Sequence, residues 1–116
     1  MKLHEIKNIL DAEILCGEDK LSDEISLACG CDLMSDVLRF AKEDVVLLTG
    51  LTNIHVLKTA EMANIQCLVF VRDKTPAVEM VQEADELDMV IMKTRLPLYE
   101  ACGKLYKEGL GDRSYE

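Results

Sequence analysis

Four cations sit in two short stretches of an otherwise acidic chain: Arg72 and Lys74 in Arg72-Asp-Lys-Thr-Pro76, and Lys93 and Arg95 in Lys93-Thr-Arg-Leu-Pro97. They are four of thirteen Lys and Arg residues in a protein of formal net charge -9, and these two stretches hold a single acid, Asp73. A third stretch, Thr49-Gly-Leu-Thr-Asn53, is uncharged but rich in hydroxyl and amide groups. Guanidinium and ammonium groups bind phosphate or carboxylate through charge-assisted hydrogen bonds. Thr49, Thr52, Asn53, Thr75 and Thr94 add neutral donors, and Gly50 lets the backbone approach a ligand closely. Candidate ligand-binding residues are therefore Thr49, Gly50, Thr52, Asn53, Arg72, Lys74, Thr75, Lys93, Thr94 and Arg95, and their shared chemistry is recognition of a phosphate or nucleotide. The plainer reading makes Asn53 and Thr75 helix caps, Gly50 a turn residue and the basic residues a balance to surplus acid.

Each stretch follows a short apolar run: VVLLT from Val45, CLVFV from Cys67 and VIMKT from Val90. Their spacing fits a strand, a turn and a crossover helix returning to a parallel neighbour. The predicted fold is α/β, a single compact domain with a mainly parallel sheet flanked by helices. Right-handed crossovers place all three turns on the carboxyl edge of the sheet, where such folds bind ligands. Each turn also feeds a helix amino terminus, whose unpaired N–H groups favour an anion.

The remaining segments supply the frame. Leu3, Ile6 and Leu10 predict a first helix, followed by a strand over Glu13 to Cys16 and a turn over Gly17 to Lys20. Glu24 to Cys31 alternates as a second strand, with Gly30 marking a bulge or a close backbone approach. Met34, Val37, Leu38 and Ala41 form a helical stripe that Ser35 or Asp32 could cap. The helix capped by Asn53 presents Val56, Leu57, Ala60 and Ala63. Thr75 as N-cap and Pro76 at the first helical position open another, with Ala77, Met80, Val81 and Ala84 inward. The last follows Pro97, carries Leu98, Ala101, Cys102 and Leu105, and stops at Gly109. Residues 1–110 form the predicted domain and 111–116 a flexible tail.

Composition excludes several classes. A chain of 116 residues that is 49% hydrophobic can bury a core without disulfides or metal. No apolar run reaches a membrane span, and Met-Lys-Leu-His-Glu-Ile lacks a signal-peptide pattern, so a cytoplasmic location is expected. The net charge of -9 argues against nucleic acid and anionic membrane as partners. Five cysteines at irregular spacing read as reduced thiols, and Cys29-Gly-Cys31 lacks a second half for a metal site, so no metal and no cofactor is predicted. His4 and His55 are the only histidines and neither stands in a triad pattern. His55 opens a helix at the binding edge, and Glu83, Asp85, Glu86 and Asp88 read as a solvated helix face. With no Walker A sequence and no GxGxxG, the chain is not expected to be an enzyme.

Asp32-Leu-Met-Ser-Asp-Val-Leu38, Val45-Val-Leu-Leu-Thr-Gly50, the helix after Asn53, and Thr94 through Lys104-Leu-Tyr-Lys-Glu-Gly-Leu110 together resemble the DRTGG domain family. The resemblance runs from about Leu3 to Leu110. It implies a compact α/β regulatory module of a kind found alone or beside CBS domains, phosphotransacetylase-like enzymes and pyrophosphatases, frequently dimeric. Stand-alone members similar to this chain are encoded near iron-only hydrogenases and small kinase-like regulators. The chain departs from the family pattern at two places: Gly50-Leu-Thr-Asn53 replaces Gly-Asp-Arg-Thr-Asp, and Arg72-Asp-Lys74 replaces a Gly-Gly pair. The new Arg72 and Lys74 imply a different ligand. The expected function is that of a homodimeric, non-enzymatic sensor of an anionic small molecule. The alternative is an interaction module, an accessory subunit for a hydrogenase-type redox enzyme or a kinase system.

Overall fold

Parallel strands cannot be joined by hairpins, so the chain must leave the sheet after each strand and return along one of its faces. The computed structural model describes residues 1–40 and 44–111, with backbone alone at Phe40, and the elements run as that constraint requires. They are α1 Leu3–Leu10, β1 Glu13–Cys16, β2 Leu27–Gly30, α2 Met34–Val37, β3 Val45–Thr49, α3 Ile54–Met62, β4 Cys67–Phe70, α4 Val78–Glu86, β5 Val90–Lys93 and α5 Leu98–Lys107. Short 3-10 turns cover Glu18–Lys20 and Leu38–Phe40. The sheet order is β1-β5-β4-β3-β2, parallel from β2 to β5, with β1 antiparallel on β5.

Every residue of β3 and β4 is buried. That is why these runs are continuously apolar rather than alternating. Leu47, Leu68, Phe70 and Ile91 face one side, where α2, α3 and α4 bring Val37, Val56, Leu57, Ala60, Met80 and Ala84. Val46, Leu48, Val69 and Met92 face the other, covered by Leu3, Ile6 and Leu10 of α1 and by Ala101 and Leu105 of α5. The two cores are separated only by the sheet, which makes a three-layer α/β/α sandwich.

Several local expectations differ from what the fold does. The predicted strand from Glu24 contracts to Leu27–Gly30, because the segment before it is tied to the amino terminus. There the Ile25 amide donates to the Met1 carbonyl at 2.7 Å, and Lys2 bridges Glu24. Gly30 is a close approach and not a bulge: the Cys102 thiol sulfur lies where its Cβ would be. Asn53 caps α3, its side chain accepting from the His55 amide at 3.0 Å. Thr75 does not cap α4, which starts at Val78 with Ala77 in the cap position, and Ala77 is exposed. Neither Asp32 nor Ser35 caps α2; Leu33 takes that place without a side-chain bond. Ala41 of the predicted stripe and all of the predicted tail beyond Gly111 lie outside the described residues.

Leu68 sits at the centre of β4 with no exposure, so Leu68→Ala should cost about 2–5 kcal/mol of unfolding free energy. Urea denaturation monitored by circular dichroism measures that loss.

Candidate functional site

The site is built at the carboxyl ends of β2, β3, β4 and β5, which share one edge of the sheet. At β3 and β5 the chain uses the same device. Thr49 closes β3 and is fully buried. Its hydroxyl donates to the Asp32 carboxylate at 2.8 Å and accepts from the Leu51 amide at 3.2 Å. Thr94, just after β5, is 2% exposed, donates to the Leu10 carbonyl at 2.7 Å and accepts from the Leu96 amide at 3.3 Å. In each case the hydroxyl turns the chain out of its strand and ties the turn to a neighbouring element. Both threonines thus fix the edge from within, and their hydroxyls are engaged inside the protein.

Asp32, read from sequence as a cap, has another role. The same Oδ1 that takes the Thr49 hydroxyl also accepts the Gly50 amide at 2.8 Å, locking the turn after β2 to the turn after β3. The Gly50 amide bond, the Thr49 hydroxyl and the Arg72 charge hold the carboxyl below its ordinary range, against a smaller opposing effect of burial. Arg72 reaches back from the turn after β4. Its Nη2 stands 2.6 Å from where a Gly50 Cβ would be, so the space that Gly50 was expected to leave for a ligand holds a guanidinium.

The chain leaves β4 and β5 for opposite faces, since α4 packs on one core and α5 on the other. Connections that diverge in this way leave a crevice between the carboxyl ends of the two strands. Here the crevice is bridged by backbone: the Arg72 amide donates to the Leu96 carbonyl and the Asp73 amide to that of Thr94, both at 2.8 Å. To make these bonds Arg72 and Asp73 adopt φ of 57° and 58°, two left-handed residues in succession, neither of them glycine. Left-handed backbone costs an L-residue about 1–2 kcal/mol. Lys93 is drawn into the same turn, with Nζ donating to Thr75 Oγ1 at 3.0 Å and paired with Asp73 at 3.5 Å.

The fold adds acids that the linear stretches did not contain. β1 runs against β5 with Glu13 opposite Lys93, which brings Glu13 and the preceding Asp11 to the edge. With Asp32 and Asp73 the edge therefore carries four carboxylates beside Arg72, Lys74, Lys93 and Arg95, where a single acid was expected. Arg95, Lys93, Asp73, Asp11 and Glu13 line a depression of about 270 Å3. Arg95 and Asp11 also line a second, of about 210 Å3, with Lys104 of α5. Lys74 is exposed, Thr52 half-buried, and Asn53 committed to its cap. Only the antiparallel pairing of β1 could have exposed the roles of Asp11 and Glu13. Lys104 had no signal in the sequence beyond its place one turn and a half into α5.

Both histidines are exposed. All five cysteines are free thiols; burial pushes Cys29 up to about 11 and raises Cys67 beyond the range of ordinary thiols, which keeps both protonated. Among the described residues no three His, Cys, Asp or Glu side chains gather as a metal site, and no helix is long and apolar enough to cross a membrane.

With this geometry in view, the comparisons with known proteins agree on the class. The model of the DRTGG domain matches residues 5–106, and the chain belongs to that family. A solved structure of similar fold contains the CBS and DRTGG domains of the regulatory region of Clostridium perfringens pyrophosphatase, complexed with its activator, diadenosine tetraphosphate. It superposes with a TM-score of 0.71 at 15% identity, over 90% of this chain and 45% of that one, so this chain spans less than half of its length. No curated protein matches the chain.

Two expected outcomes follow from the edge itself. Thr94→Val leaves the Leu10 carbonyl without its donor and should cost about 1–3 kcal/mol in urea denaturation. For Asp32 the folded pKa lies below the ordinary 3.8, so its stabilisation is present above about pH 4 and lost as pH falls through the lower folded value. Asp32→Asn should therefore be less stable than the parent at pH 7, with the gap narrowing as the pH falls below the ordinary carboxylate value; a gap independent of pH would contradict the assignment.

Proposed function

We propose that this protein is a non-enzymatic regulatory domain that binds an anionic small molecule, a nucleotide or a phosphorylated metabolite, at the carboxyl edge of its parallel strands. The observation that carries the reading is the convergence of Arg72, Lys74, Lys93 and Arg95 on that edge in a protein of net charge -9. Retention of Arg72 and Asp73 in left-handed backbone supports it, because strain of that kind is kept where the surrounding structure, and often a function, demands it. Membership in the DRTGG family supports a regulatory role, and the pyrophosphatase region of similar fold is described with a bound nucleotide activator. The domain acts as a cytoplasmic homodimer in this reading. A ligand alters its stability or its contacts, and no general base or nucleophile is required.

A second reading is favoured by the large apolar side chains that remain exposed. Leu33 is 58% exposed and Met62 72%, with Leu38 and Ile54 also open to solvent around α2 and α3. In this reading the domain docks a redox enzyme of the hydrogenase type or a kinase, and its turns hold nothing.

A thermal-shift screen against nucleotides, phosphorylated metabolites and inorganic anions separates the two. A ligand that binds only the folded state adds about 2.7 kcal/mol at a hundredfold excess over Kd. The expected result is stabilisation by at least one phosphorylated compound, lost when Arg72 and Arg95 are both replaced by alanine. A flat response to the whole panel, together with a stoichiometric protein complex, would favour the docking module instead.

A further inference from the structure

The four cations of the edge are not equivalent. Lys93 is held by Asp73 and Thr75, and Arg72 lies on Gly50 beside Asp32. Arg95 is exposed, and among the described residues neither it nor Lys104 forms an ion pair. These two line one depression of about 210 Å3 between the end of α1 and the start of α5. Ile9, Leu10 and Leu96 give it apolar walls, and Thr94, fixed by the Leu10 carbonyl, joins the lining. Asp11, left-handed at φ 49°, contributes the one carboxylate.

We infer that this pocket, and not the space over Gly50, is the anion site, and that it takes a compact hydroxylated phosphomonoester. The inference rests on the anion-binding reading above and narrows it. Arg95 and Lys104 give charge-assisted donors to a single phosphate. Ile9 and Leu96 pack a short carbon chain, and the Asp11 carboxylate accepts from its hydroxyl groups. Size argues against a nucleotide, since 210 Å3 is smaller than the roughly 300–1,000 Å3 of clefts that enclose drug-sized ligands. Charge argues against a polyphosphate. A chain of phosphates leaving the pocket past Arg95 would enter the neighbouring depression, where three carboxylates, Asp11, Glu13 and Asp73, outnumber the cations Lys93 and Arg95, and Lys93 is already paired with Asp73.

The test is a titration of the isotope-labelled full chain with glycerol 3-phosphate, followed by amide chemical shifts at constant ionic strength. Parent protein, Arg95→Ala, Lys104→Ala and Arg72→Ala are compared, and a diadenosine tetraphosphate titration accompanies them. All three side chains are exposed, and dispersed spectra verify that the variants fold. Saturable shifts at Asp11, Arg95 and Leu96 are expected, with affinity at least tenfold lower in Arg95→Ala and Lys104→Ala, a larger loss in each than in Arg72→Ala. Diadenosine tetraphosphate should leave these amides unmoved. Shifts centred on Gly50 and Arg72, lost only in Arg72→Ala, would overturn the pocket and leave anion binding standing. No response to glycerol 3-phosphate alongside stabilisation by another compound of the screen would do the same. No response to any compound would overturn both.

Discussion

A parallel strand pair leaves no room for a hairpin, and in this molecule that constraint governs everything from β2 onward. Four strands lie side by side in the same direction, so each must be followed by a segment that crosses the sheet. The crossing helices α2, α3 and α4 cover one face, α1 and α5 cover the other, and the strands between them are buried on each side. The same directionality gathers the turns after β2, β3, β4 and β5 at one edge. A site at that edge is a consequence of topology before any side chain is considered, and the side chains decide only what it can hold.

Buried hydroxyls convert that topology into fixed geometry. Thr49 and Thr94 occupy equivalent places past the end of apolar runs, and each bonds a turn amide two residues on while donating to a different element. Without them two turns would swing from the ends of their strands. Their burial explains why candidate donors chosen for their chemistry turn out to be braces: a hydroxyl at the end of a fully buried strand must find a protein partner, since water cannot reach it. The left-handed pair Arg72 and Asp73 closes the remaining gap by bonding across to the β5 turn. Glycine would hold that conformation without strain, and a glycine pair stands there in the pattern this chain resembles. Arginine and aspartate bring charge to the edge at a conformational cost.

Charge at the edge is a balance rather than a basic patch. Arg72 lies over Gly50 with the Asp32 charge nearby, Asp73 holds Lys93, and Asp11 and Glu13 arrive on or beside an antiparallel strand. An edge of that kind varies by position: Arg95 and Lys104 face one cavity with a single carboxylate, Asp11, while the neighbouring depression sets three carboxylates beside Lys93 and Arg95. The pyrophosphatase region of similar fold shares the architecture at 15% identity, a level at which the backbone is comparable while the residues of a site are not.

The sequence by itself determined the class of fold, the three apolar strands and the cap at Asn53, because these follow from local periodicity and local backbone chemistry, while the family followed from resemblance of whole segments. It also placed the β3, β4 and β5 turns on one edge, since parallel crossovers leave no other arrangement. It misplaced the start of α4 and the extent of β2, where a lysine from β5 and the amino-terminal residue compete for the groups involved. Only the tertiary structure decided that Asp32 is a lock and not a cap, that Arg72 fills the space over Gly50, and that Asp11 and Lys104 border a common cavity. Those facts depend on pairings between residues far apart in the chain, such as Thr94 with Leu10 and Glu13 with Lys93, and no periodicity or motif records which distant residues will meet.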